Sequence, residues 1–438
     1  MTPYVQVAGP LSHTRQWWEG VVQSVAPPHV IDLGPGYLDP GLLPADLLAA
    51  SYAGSLAVYG SAALAYGDDR GALPLRTRLA ARVRERDGVP CDPANVLVTA
   101  GTSHALHLIA TTLAAPGDVV LVDESCYDLG RLILADCGLR AYEVAGDEYG
   151  MSPYALAAAL AETRGRVAFI YLNPTFHNPT GLVVPLERRH ALLDVARNHQ
   201  TLIVEDDAYA DLLLNQALDM EPGPDSDVQD TPPPMASLAR HRGVIRLLTF
   251  SKSLAPGLRL GWLVAAPELV DRLAGHGVFR SGGCPNHTAS LAVATLMEEG
   301  HYDRHLTWLR DRLRERRDTL VDALTAHLND AFLLDRPAGG FFVWLRSHHP
   351  EHALMTAAEQ ADVYVAAGSR FGPGRRPARR PDGHNGDRGP GDLGHDGGNP
   401  VSAVRLAYSL NDPGRLARAV ERLAGVWNVI PGKRGPGR

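Results

Sequence analysis

The sequence predicts an α/β fold in which helices cover both faces of a mostly parallel central sheet, followed by a smaller α+β unit. Between residues 75 and 265, apolar runs of strand length alternate with stretches of helical period. The strand-like runs are apolar throughout, which is typical of parallel strands buried on both faces. After residue 267 the pattern changes to a long charged helix, short strands and a final helix, which indicates the second unit.

The expected elements follow in order along the chain. Strands are expected at 96–98, 119–122, 167–171, 201–204, 245–250 and 260–265, and helices between them at 75–86, 103–114, 154–162 and 186–199. In the second unit we expect helices at 301–328, 353–360 and 413–424, and strands at 340–345, 363–366 and 404–409.

We predict three parts in the chain: an N-terminal arm (1–50), a large domain (51–275) and a small C-terminal domain (276–438). Segment 373–400 has almost no apolar residues. It cannot bury enough surface to offset the entropy of ordering, so we expect a disordered insertion in the small domain.

The composition limits the classes of function. The chain has 438 residues, a net charge of −7 and a sequence pI near 6.2, whereas nucleic-acid-binding and membrane-surface proteins usually carry a basic face. We find no secretion signal, no apolar run that approaches bilayer length, and no metal-ligand spacing among the histidines and cysteines. We therefore expect a cytoplasmic protein with no metal, nucleic-acid or membrane partner.

Lysine is nearly absent from the chain. Of 42 basic residues, only Lys252 and Lys433 are lysines. Arginine replaces lysine in most roles but cannot lose its proton and form an imine. Lys252, in TFSKSLAPGLRLGW, is therefore a candidate for Schiff-base chemistry, although a surface lysine present by chance is the alternative. Thr249, Ser251 and Arg259 would place two hydroxyls and a guanidinium beside it, which suits a phosphate dianion.

Two more polar turns follow strand-like runs. TAGTSHALHL places Gly101, Thr102 and Ser103 at the start of a helix, where backbone N–H groups favour an anion. By itself this signal is weak, because many strand-to-helix loops have such a sequence. YLNPTFHNPTG contains Asn178, whose amide can donate to a phenolate-type oxygen or serve only the turn.

A pair of aspartates ends a buried run in EDDAYADL. Asp206 and Asp207 lie where α/β sheets place their ligands. A buried carboxylate needs a partner, for which a pyridinium N–H would be suitable. Capping of a helix by either aspartate is an equally good explanation.

Four of these motifs, in their order along the chain, resemble those of fold-type I pyridoxal-phosphate enzymes, specifically class I/II aminotransferases. They are the Gly-Thr-Ser turn, N-P-T-G, D-x-A-Y and S-K-x-x-x-P-G-x-R-x-G. The resemblance is greatest to the subgroup of 2-aminoadipate and kynurenine-type aminotransferases and the aminotransferase-like halves of MocR-type regulators. It extends from residue 31 to residue 409. It implies pyridoxal 5'-phosphate as cofactor and a homodimer with shared active sites.

The resemblance also implies a role for each matching residue. Lys252 would form the Schiff base and move a proton between substrate and cofactor, and Asp206 would pair with the pyridine nitrogen. Tyr209 and Asn178 would donate to the phenolic oxygen, and Tyr127 would stack on the ring. The implied phosphate contacts are Gly101, Thr102, Ser103, Thr249, Ser251 and Arg259, with Tyr66 reaching the phosphate of the neighbouring subunit.

Three substrate-binding residues are implied in the same way. Arg405, in VRLAYS, resembles the arginine that clamps the substrate α-carboxylate, and an arginine in an apolar run needs a partner. Gly36 lies in a segment that resembles the one covering the substrate. Asn286, together with Cys284 and His287, occupies the region where family members read the substrate side chain.

These roles imply a ping-pong aminotransferase. An L-amino acid would give its amino group to the cofactor, and a 2-oxo acid such as 2-oxoglutarate would take it. Elimination, cyclisation or oxidation on the same scaffold is an alternative, because fold does not determine function. A non-catalytic cofactor-sensing module of a transcription regulator is a third, which we do not favour because the chain begins close to its enzyme-like part and lacks a basic balance.

Overall fold

The structure is a computed structural model that describes residues 26–215, 231–372 and 402–431. The first half of the predicted N-terminal arm, the predicted insertion at 373–400 and Lys433 lie outside the described residues.

The bounds of the elements are as follows. The strands are β1 (Ile31–Asp32), β2 (Val96–Thr99), β3 (Val119–Asp123), β4 (Arg140–Val144), β5 (Gly146–Asp147), β6 (Gly150–Met151), β7 (Val167–Leu172), β8 (Leu202–Asp206), β9 (Val244–Thr249), β10 (Gly261–Val264), β11 (Phe332–Leu333), β12 (Phe342–Ser347), β13 (Val363–Tyr364), β14 (Ala366–Ala367) and β15 (Ser402–Ala407). The α-helices are α1 (Ala45–Tyr59), α2 (Leu73–Asp87), α3 (Thr102–Leu113), α4 (Asp128–Asp136), α5 (Pro153–Glu162), α6 (Leu186–Asn198), α7 (Met235–Leu238), α8 (Pro267–Ala274), α9 (Gly277–Gly282), α10 (His287–Glu298), α11 (His301–His327), α12 (Glu351–Gln360) and α13 (Pro413–Trp427).

The central sheet has seven strands in the order β2-β10-β9-β8-β7-β3-β4. Strand β10 is antiparallel to both of its neighbours, and the other adjacent pairs are parallel. The six strands expected from the sequence are all present. The predicted α/β fold with a mostly parallel sheet is therefore confirmed.

Successive side chains of the central strands enter different hydrophobic clusters. Val120 and Val122 of β3 belong to one cluster with residues of α3 and α4, whereas Val119 and Leu121 belong to another with residues of α5 and α6. The sheet is thus covered on both faces. This explains why its strands are apolar throughout instead of alternating with polar residues.

A second sheet has four antiparallel strands in the order β11-β12-β15-β14. Separately, β1 pairs in parallel with β13, so the first described strand joins the C-terminal part of the chain. The domain boundaries at residues 50 and 275 remain a prediction.

Helix α1 and the 3-10 helix that follows it form one apolar segment. Ala45–Leu64 has 20 residues and a mean hydropathy of 1.4, enough by length and composition to cross a membrane. The expectation that no apolar run approaches bilayer length is therefore wrong by these criteria, because serine and glycine interrupt the segment without much lowering its mean hydropathy. One side of α1 packs on α10, where Ser51 Oγ donates to Ala292 O at 2.5 Å, whereas Val58 is 71% exposed.

Candidate active site

Residues from several strand ends gather at one edge of the central sheet. Gly101 follows β2, Asn178 follows β7, Asp206 ends β8 and Lys252 follows β9. The carboxyl edge of a parallel sheet is where α/β proteins bind their ligands. Arg405, from β15 of the second sheet, reaches the same place and donates to Asn178 Oδ1 at 2.7 Å.

Lys252 lies in the turn after β9 with its amino group directed into the protein. Its Nζ donates to Gly36 O at 2.9 Å and lies 5.8 Å and 5.7 Å from the ring centroids of Tyr209 and Phe341. Burial, and then the charge of Arg405, lowers the pKa of Lys252 to about 8. Such a pKa provides the neutral amine that a nucleophile or general base requires near neutral pH.

Asp206 ends β8 with one of its carboxylate oxygens satisfied. Tyr171, on the neighbouring strand β7, donates its hydroxyl to Oδ2 at 2.6 Å. Oδ1 is buried and has no hydrogen-bond partner in the part of the chain that the structure describes. Burial raises the pKa of Asp206 to about 6, although the hydrogen bond from Tyr171 opposes this. An unpaired buried acceptor costs about 1–3 kcal/mol, so Oδ1 suits a donor such as a protonated ring nitrogen.

The two acidic neighbours of Asp206 have other partners. Asp207 accepts from Arg246 Nε at 2.7 Å and lies 2.6 Å from its Nη2. Glu205 accepts the backbone N–H groups of Met235 and Ala236, at the start of α7, at 2.8 Å and 2.9 Å. Asp207 Oδ1 also lacks a hydrogen-bond partner among the described residues, but Arg246 already neutralises that carboxylate. The resemblance assigns the ring nitrogen to Asp206, and this assignment stays a prediction.

Two tyrosine side chains lie beside these groups. Tyr209 is buried and meets the rings of Phe341 and Phe342 edge-on, with centroids 5.3 Å and 5.9 Å apart. Burial raises the pKa of Tyr209 above its ordinary value. Burial, followed by the charge of Asp206, raises the pKa of Tyr127 to about 12. Both hydroxyls therefore remain protonated and can donate hydrogen bonds.

An anion-binding turn lies at the start of α3, which has no side-chain cap on its N-terminus. Gly101 precedes the helix with φ of +87°, a conformation that glycine adopts readily. A Cβ there would lie 3.0 Å from Arg259 Nη2. The unbonded N–H groups of the first turn, which includes Thr102 and Ser103, thus face a guanidinium, an arrangement that favours a phosphate.

Two hydroxyls border this turn. Gly261 of β10 pairs with Thr99 on one side and Thr249 on the other, and a Cβ on Gly261 would lie 2.7 Å from Gly101 Cα. The Thr249 and Ser251 hydroxyl oxygens are 3.0 Å apart. The predicted phosphate contacts from the two turns are therefore neighbours in space.

Arg405 lies between two phenylalanine rings. Its guanidinium carbon is 4.1 Å and 4.5 Å from the ring centroids of Phe342 and Phe371, and Nη2 donates to Gly34 O at 2.6 Å. The residue is 5% exposed, and its Nε has no hydrogen-bond partner among the described residues. Burial lowers the pKa of Arg405 to about 10, so the side chain is still charged at neutral pH. A buried cation with a free donor suits a carboxylate.

Residues 34–36 lie over the two cations. The carbonyl of Gly36 accepts from Lys252, and that of Gly34 accepts from Arg405. A Cβ on Gly36 would lie 2.5 Å from Phe342 Cζ, so a larger residue would have to displace the ring. This segment is therefore in a position to exclude water from the two charged groups.

The residues expected to read the substrate side chain have backbone partners. Asn286 Nδ2 donates to the backbone carbonyl of Arg259. Cys284 and His287 contact backbone carbonyls of β2 and of the 3-10 helix after α1. A role of this segment in substrate recognition stays a prediction.

Tyr66 is largely exposed within the single chain. Its exposed fraction is 88%, and Gly282 is beside its ring. Its contact with the phosphate of a neighbouring subunit stays a prediction.

Three side chains of the site escaped the sequence analysis. Tyr171 was expected only as part of a strand, yet it supports Asp206 from the adjacent strand. The sequence could have indicated a polar contact for Tyr171, because a tyrosine in a buried apolar run needs a hydrogen-bond partner. Phe342 and Phe371, which enclose Arg405, gave no such signal because phenylalanines are ordinary core residues.

The open groups fit the three binding handles of pyridoxal 5'-phosphate. Asp206 Oδ1 would take the protonated ring nitrogen, and the uncapped start of α3 with Arg259 would take the phosphate. Lys252 would bond to the aldehyde carbon. The remaining open group, Arg405 Nε, matches the α-carboxylate of an amino acid.

Comparison with known proteins gives consistent results. A family model of aminotransferase class I and II matches residues 28–379. The 2-aminoadipate transaminase of Thermus thermophilus is 30% identical over 405 residues, which cover 90% of this chain and 89% of that protein. The uncharacterized HTH-type transcriptional regulator YisV of Bacillus subtilis is 30% identical over 319 residues, 73% of this chain. That match spans 62% of the regulator's length.

A solved structure is similar over nearly the whole chain. The α-aminoadipate aminotransferase LysN from Thermus thermophilus, complexed with N-(5'-phosphopyridoxyl)-L-leucine, matches with a TM-score of 0.74 at 27% identity. The match covers 92% of this chain and 94% of LysN.

Proposed function

The chain belongs to the class I and II aminotransferase family, whose cofactor is pyridoxal phosphate, and on that premise we propose that it transfers an amino group from an L-amino acid to a 2-oxo acid. One observation carries the proposal: Lys252 shares its site with two buried polar atoms that lack partners among the described residues, Asp206 Oδ1 and Arg405 Nε. The similarity to the 2-aminoadipate transaminase supports amino-acid substrates. We take 2-oxoglutarate as the first acceptor to test.

When bound, the cofactor supplies a protonated pyridine ring that accepts the electron pair released at the substrate Cα. Asp206 Oδ1 would hold the protonated ring nitrogen. Arg405 would hold the α-carboxylate through its N–H groups. Lys252 would take the proton from the substrate Cα onto Nζ and return it in the second half of the cycle, because its pKa near 8 makes the neutral amine available.

Polar and aromatic side chains around the site would orient the cofactor ring. Asn178 Oδ1 accepts from Arg405, which turns the amide so that Nδ2 is the group left to donate to the ring oxygen. Tyr209 would donate to the same oxygen, and Tyr127 would stack on the ring. The Arg405–Asn178 hydrogen bond thus couples the carboxylate clamp to the cofactor.

A single clamp serves both halves of a ping-pong cycle. In both the donor amino acid and the acceptor 2-oxo acid, a carboxylate is bonded directly to the carbon that reacts. Arg405 can therefore bind each in turn, with the segment at Gly36 excluding water.

The proposed enzyme is a homodimer with shared active sites. Two observations support this: Tyr66 is 88% exposed, and the end of α1 with the 3-10 helix after it exposes Val58 and Leu64 to 71% and 73%. Contiguous exposed apolar surface is typical of protein interfaces. Sedimentation velocity of the wild-type protein should give the mass of a dimer. Val58→Glu should shift the measured mass to that of the monomer. A monomeric wild-type protein with full activity would contradict shared active sites.

The proposed reaction is tested by adding single L-amino acids to the purified, cofactor-loaded protein and following the cofactor absorbance. Transamination predicts conversion to the pyridoxamine form, reversed by a 2-oxo acid. Release of ammonia and a 2-oxo product without the pyridoxamine form would contradict transamination and indicate an elimination reaction.

A second candidate is a cofactor-sensing module without catalysis, favoured by the similarity to the regulator YisV. It predicts that the cofactor bonds to Lys252 but that no amino acid produces the pyridoxamine form. The same absorbance experiment therefore separates the two candidates.

A further inference from the structure

Tyr302, near the start of α11, lies between two loops of the active site. Its hydroxyl oxygen is 2.8 Å from Asp211 Oδ2 and 2.8 Å from Ser253 Oγ, and the residue is 0% exposed. Ser253 directly follows Lys252, and Asp211 comes two residues after Tyr209. One buried hydroxyl therefore contacts the neighbours of two proposed catalytic residues.

The direction of these hydrogen bonds is determined by charge. Arg82 Nη2 is 3.1 Å from Asp211 Oδ1, and Arg86 pairs with the same oxygen. Burial alone would raise the pKa of Asp211, but the two guanidinium groups outweigh it and hold the pKa well below its usual range. The ionised carboxylate can only accept, so Tyr302 donates its single hydrogen to Asp211, and Ser253 donates to Tyr302.

On the lysine side, the contact reaches a tight turn. Leu254 N donates to Phe250 O at 2.9 Å and closes the turn that contains Lys252. The ring of Tyr302 packs edge-on against Phe250, with centroids 5.4 Å apart. Tyr302 thus holds the turn through both Phe250 and Ser253, on either side of the lysine.

On the other side, Asp211 belongs to a second tight turn. Leu212 N donates to Tyr209 O at 2.8 Å, and Arg310 Nε of α11 donates to the Asp211 carbonyl at 2.6 Å. The backbone of this loop is therefore fixed to α11 just after Tyr209.

We propose that Tyr302 is a positioning residue whose hydroxyl sets the distance between the Lys252 amino group and the loop that carries Asp206 and Tyr209. The inference rests on the proposed function, in which one loop holds the ring and the other moves the proton. Misplacement of a reacting group by 1 Å can cost about 100-fold in rate, so a hydrogen bond that fixes both loops matters although it touches neither substrate nor cofactor.

The test compares Tyr302→Phe with the wild-type holoenzyme. We expect kcat to fall about 10- to 100-fold, with KM for the amino acid within about twofold because Arg405 is untouched. A second readout is the pH titration of the absorbance of the lysine-bound cofactor. Its midpoint should rise, because a displaced Tyr209 donates less well to the ring oxygen, which then holds the shared proton more tightly.

Ser253→Ala removes the hydrogen bond between Ser253 and Tyr302 by changing the other partner. It provides the same test if Tyr302→Phe folds poorly. Ser253→Ala should also lower kcat and raise the titration midpoint. The double variant should have nearly the same kcat as either single variant, because each of the three removes the same connection between the two loops. Ser51→Ala is the matched control, because Ser51 is a buried serine bonded to a backbone carbonyl in the α1–α10 contact. It should leave kcat and the midpoint unchanged.

Two sets of results would contradict the positioning role of Tyr302. Folded Tyr302→Phe and Ser253→Ala with wild-type kcat and midpoint would overturn the positioning role, as would changes that match those of Ser51→Ala. Failure of the proposed function gives a different result, in which the wild-type protein bonds the cofactor but does not transaminate. The titration midpoint then still decides the role of Tyr302.

Discussion

Asp206 ends β8 and Asp211 lies in the loop that follows; both are buried, and they have opposite environments. Asp206 has an oxygen without a partner in the described part of the chain, and burial raises its pKa to about 6. Asp211 accepts from Tyr302 and is flanked by Arg82 and Arg86, which hold its pKa well below the usual range. The same residue type, a few positions apart, is thus prepared to bind a ligand in one place and to hold the fold in the other.

This difference gives a criterion for separating binding groups from structural ones. Buried polar groups in folded proteins are nearly always hydrogen-bonded. An unpaired buried group at the carboxyl edge of a sheet therefore points to a missing partner where no opposite charge already neutralises the residue. Asp206 Oδ1 and Arg405 Nε are such groups, whereas the carboxylate of Asp207, whose Oδ1 is also unpaired, is neutralised by Arg246. A carboxylate already neutralised by two guanidinium groups has nothing left to offer a ligand.

The largest expected effect is at the centre of the binding region. Lys252→Ala should lower kcat by about 10⁴-fold, because it removes both the nucleophile and the general base. Lys252→Arg is the matched control that keeps the charge and should lose as much, since arginine cannot deprotonate. Retention of more than a small fraction of the rate by Lys252→Arg would show that charge alone matters. Steady-state kinetics measures both.

The two aspartates should respond in opposite ways to the same substitution. Asp206→Asn should lower kcat about 10²- to 10³-fold with little change in the free energy of unfolding. Asp211→Asn should lower the free energy of unfolding by about 1–3 kcal/mol, because it removes the buried carboxylate that Arg82, Arg86 and Tyr302 share. Urea denaturation and kinetics on both variants provide the comparison, and an exchange of the two phenotypes would refute it.

Arg405→Lys retains the charge but loses the planar fork that binds a carboxylate. We expect kcat/KM for the amino acid to fall about 10- to 100-fold, while the affinity for the cofactor stays unchanged. Equal loss of cofactor affinity would mean that Arg405 belongs to the ring-binding group instead.

The lowered pKa of Lys252 predicts the pH dependence of cofactor attachment. Below about pH 8 the amine is protonated and cannot attack the aldehyde, so the rate of attachment to the apoprotein should rise with pH through a midpoint near 8. Stopped-flow absorbance measures this rate. A midpoint near 10.5, the ordinary lysine value, would mean that burial does not act on this amine.

The smallest effect concerns the subunit contact. Tyr66→Phe should weaken cofactor binding only a few-fold, since a single hydrogen bond contributes about 0.5–1.5 kcal/mol. Equilibrium dialysis of the cofactor measures it. An unchanged dissociation constant would remove Tyr66 from the phosphate site of the neighbouring subunit.

The fold and the centre of the site could be predicted because their signals are local. Apolar runs of strand length identified the sheet, and Lys252, Asp206 and Arg405 lie in short motifs whose order is itself informative. The residues of EDDAYADL alone did not separate Asp206 from Asp207, because a shift of one residue at a strand end reverses the face; the resemblance to the family assigned Asp206.

Residues that act across the fold could not be predicted in this way. Tyr171 supports Asp206 only because β7 is next to β8, and Tyr302 reaches Asp211 and Ser253 only because α11 crosses both loops. The hydrogen bond from Asn286 to the Arg259 carbonyl likewise joins segments that are far apart in the sequence.

The central claim, that Lys252 carries the cofactor, has a direct test because the chain contains a single other lysine, Lys433. The purified protein is loaded with pyridoxal phosphate, reduced with borohydride, digested and mapped by mass spectrometry. We expect one phosphopyridoxyl group per chain, on the peptide that contains Lys252. A group on Lys433, or none on either lysine, would contradict the account.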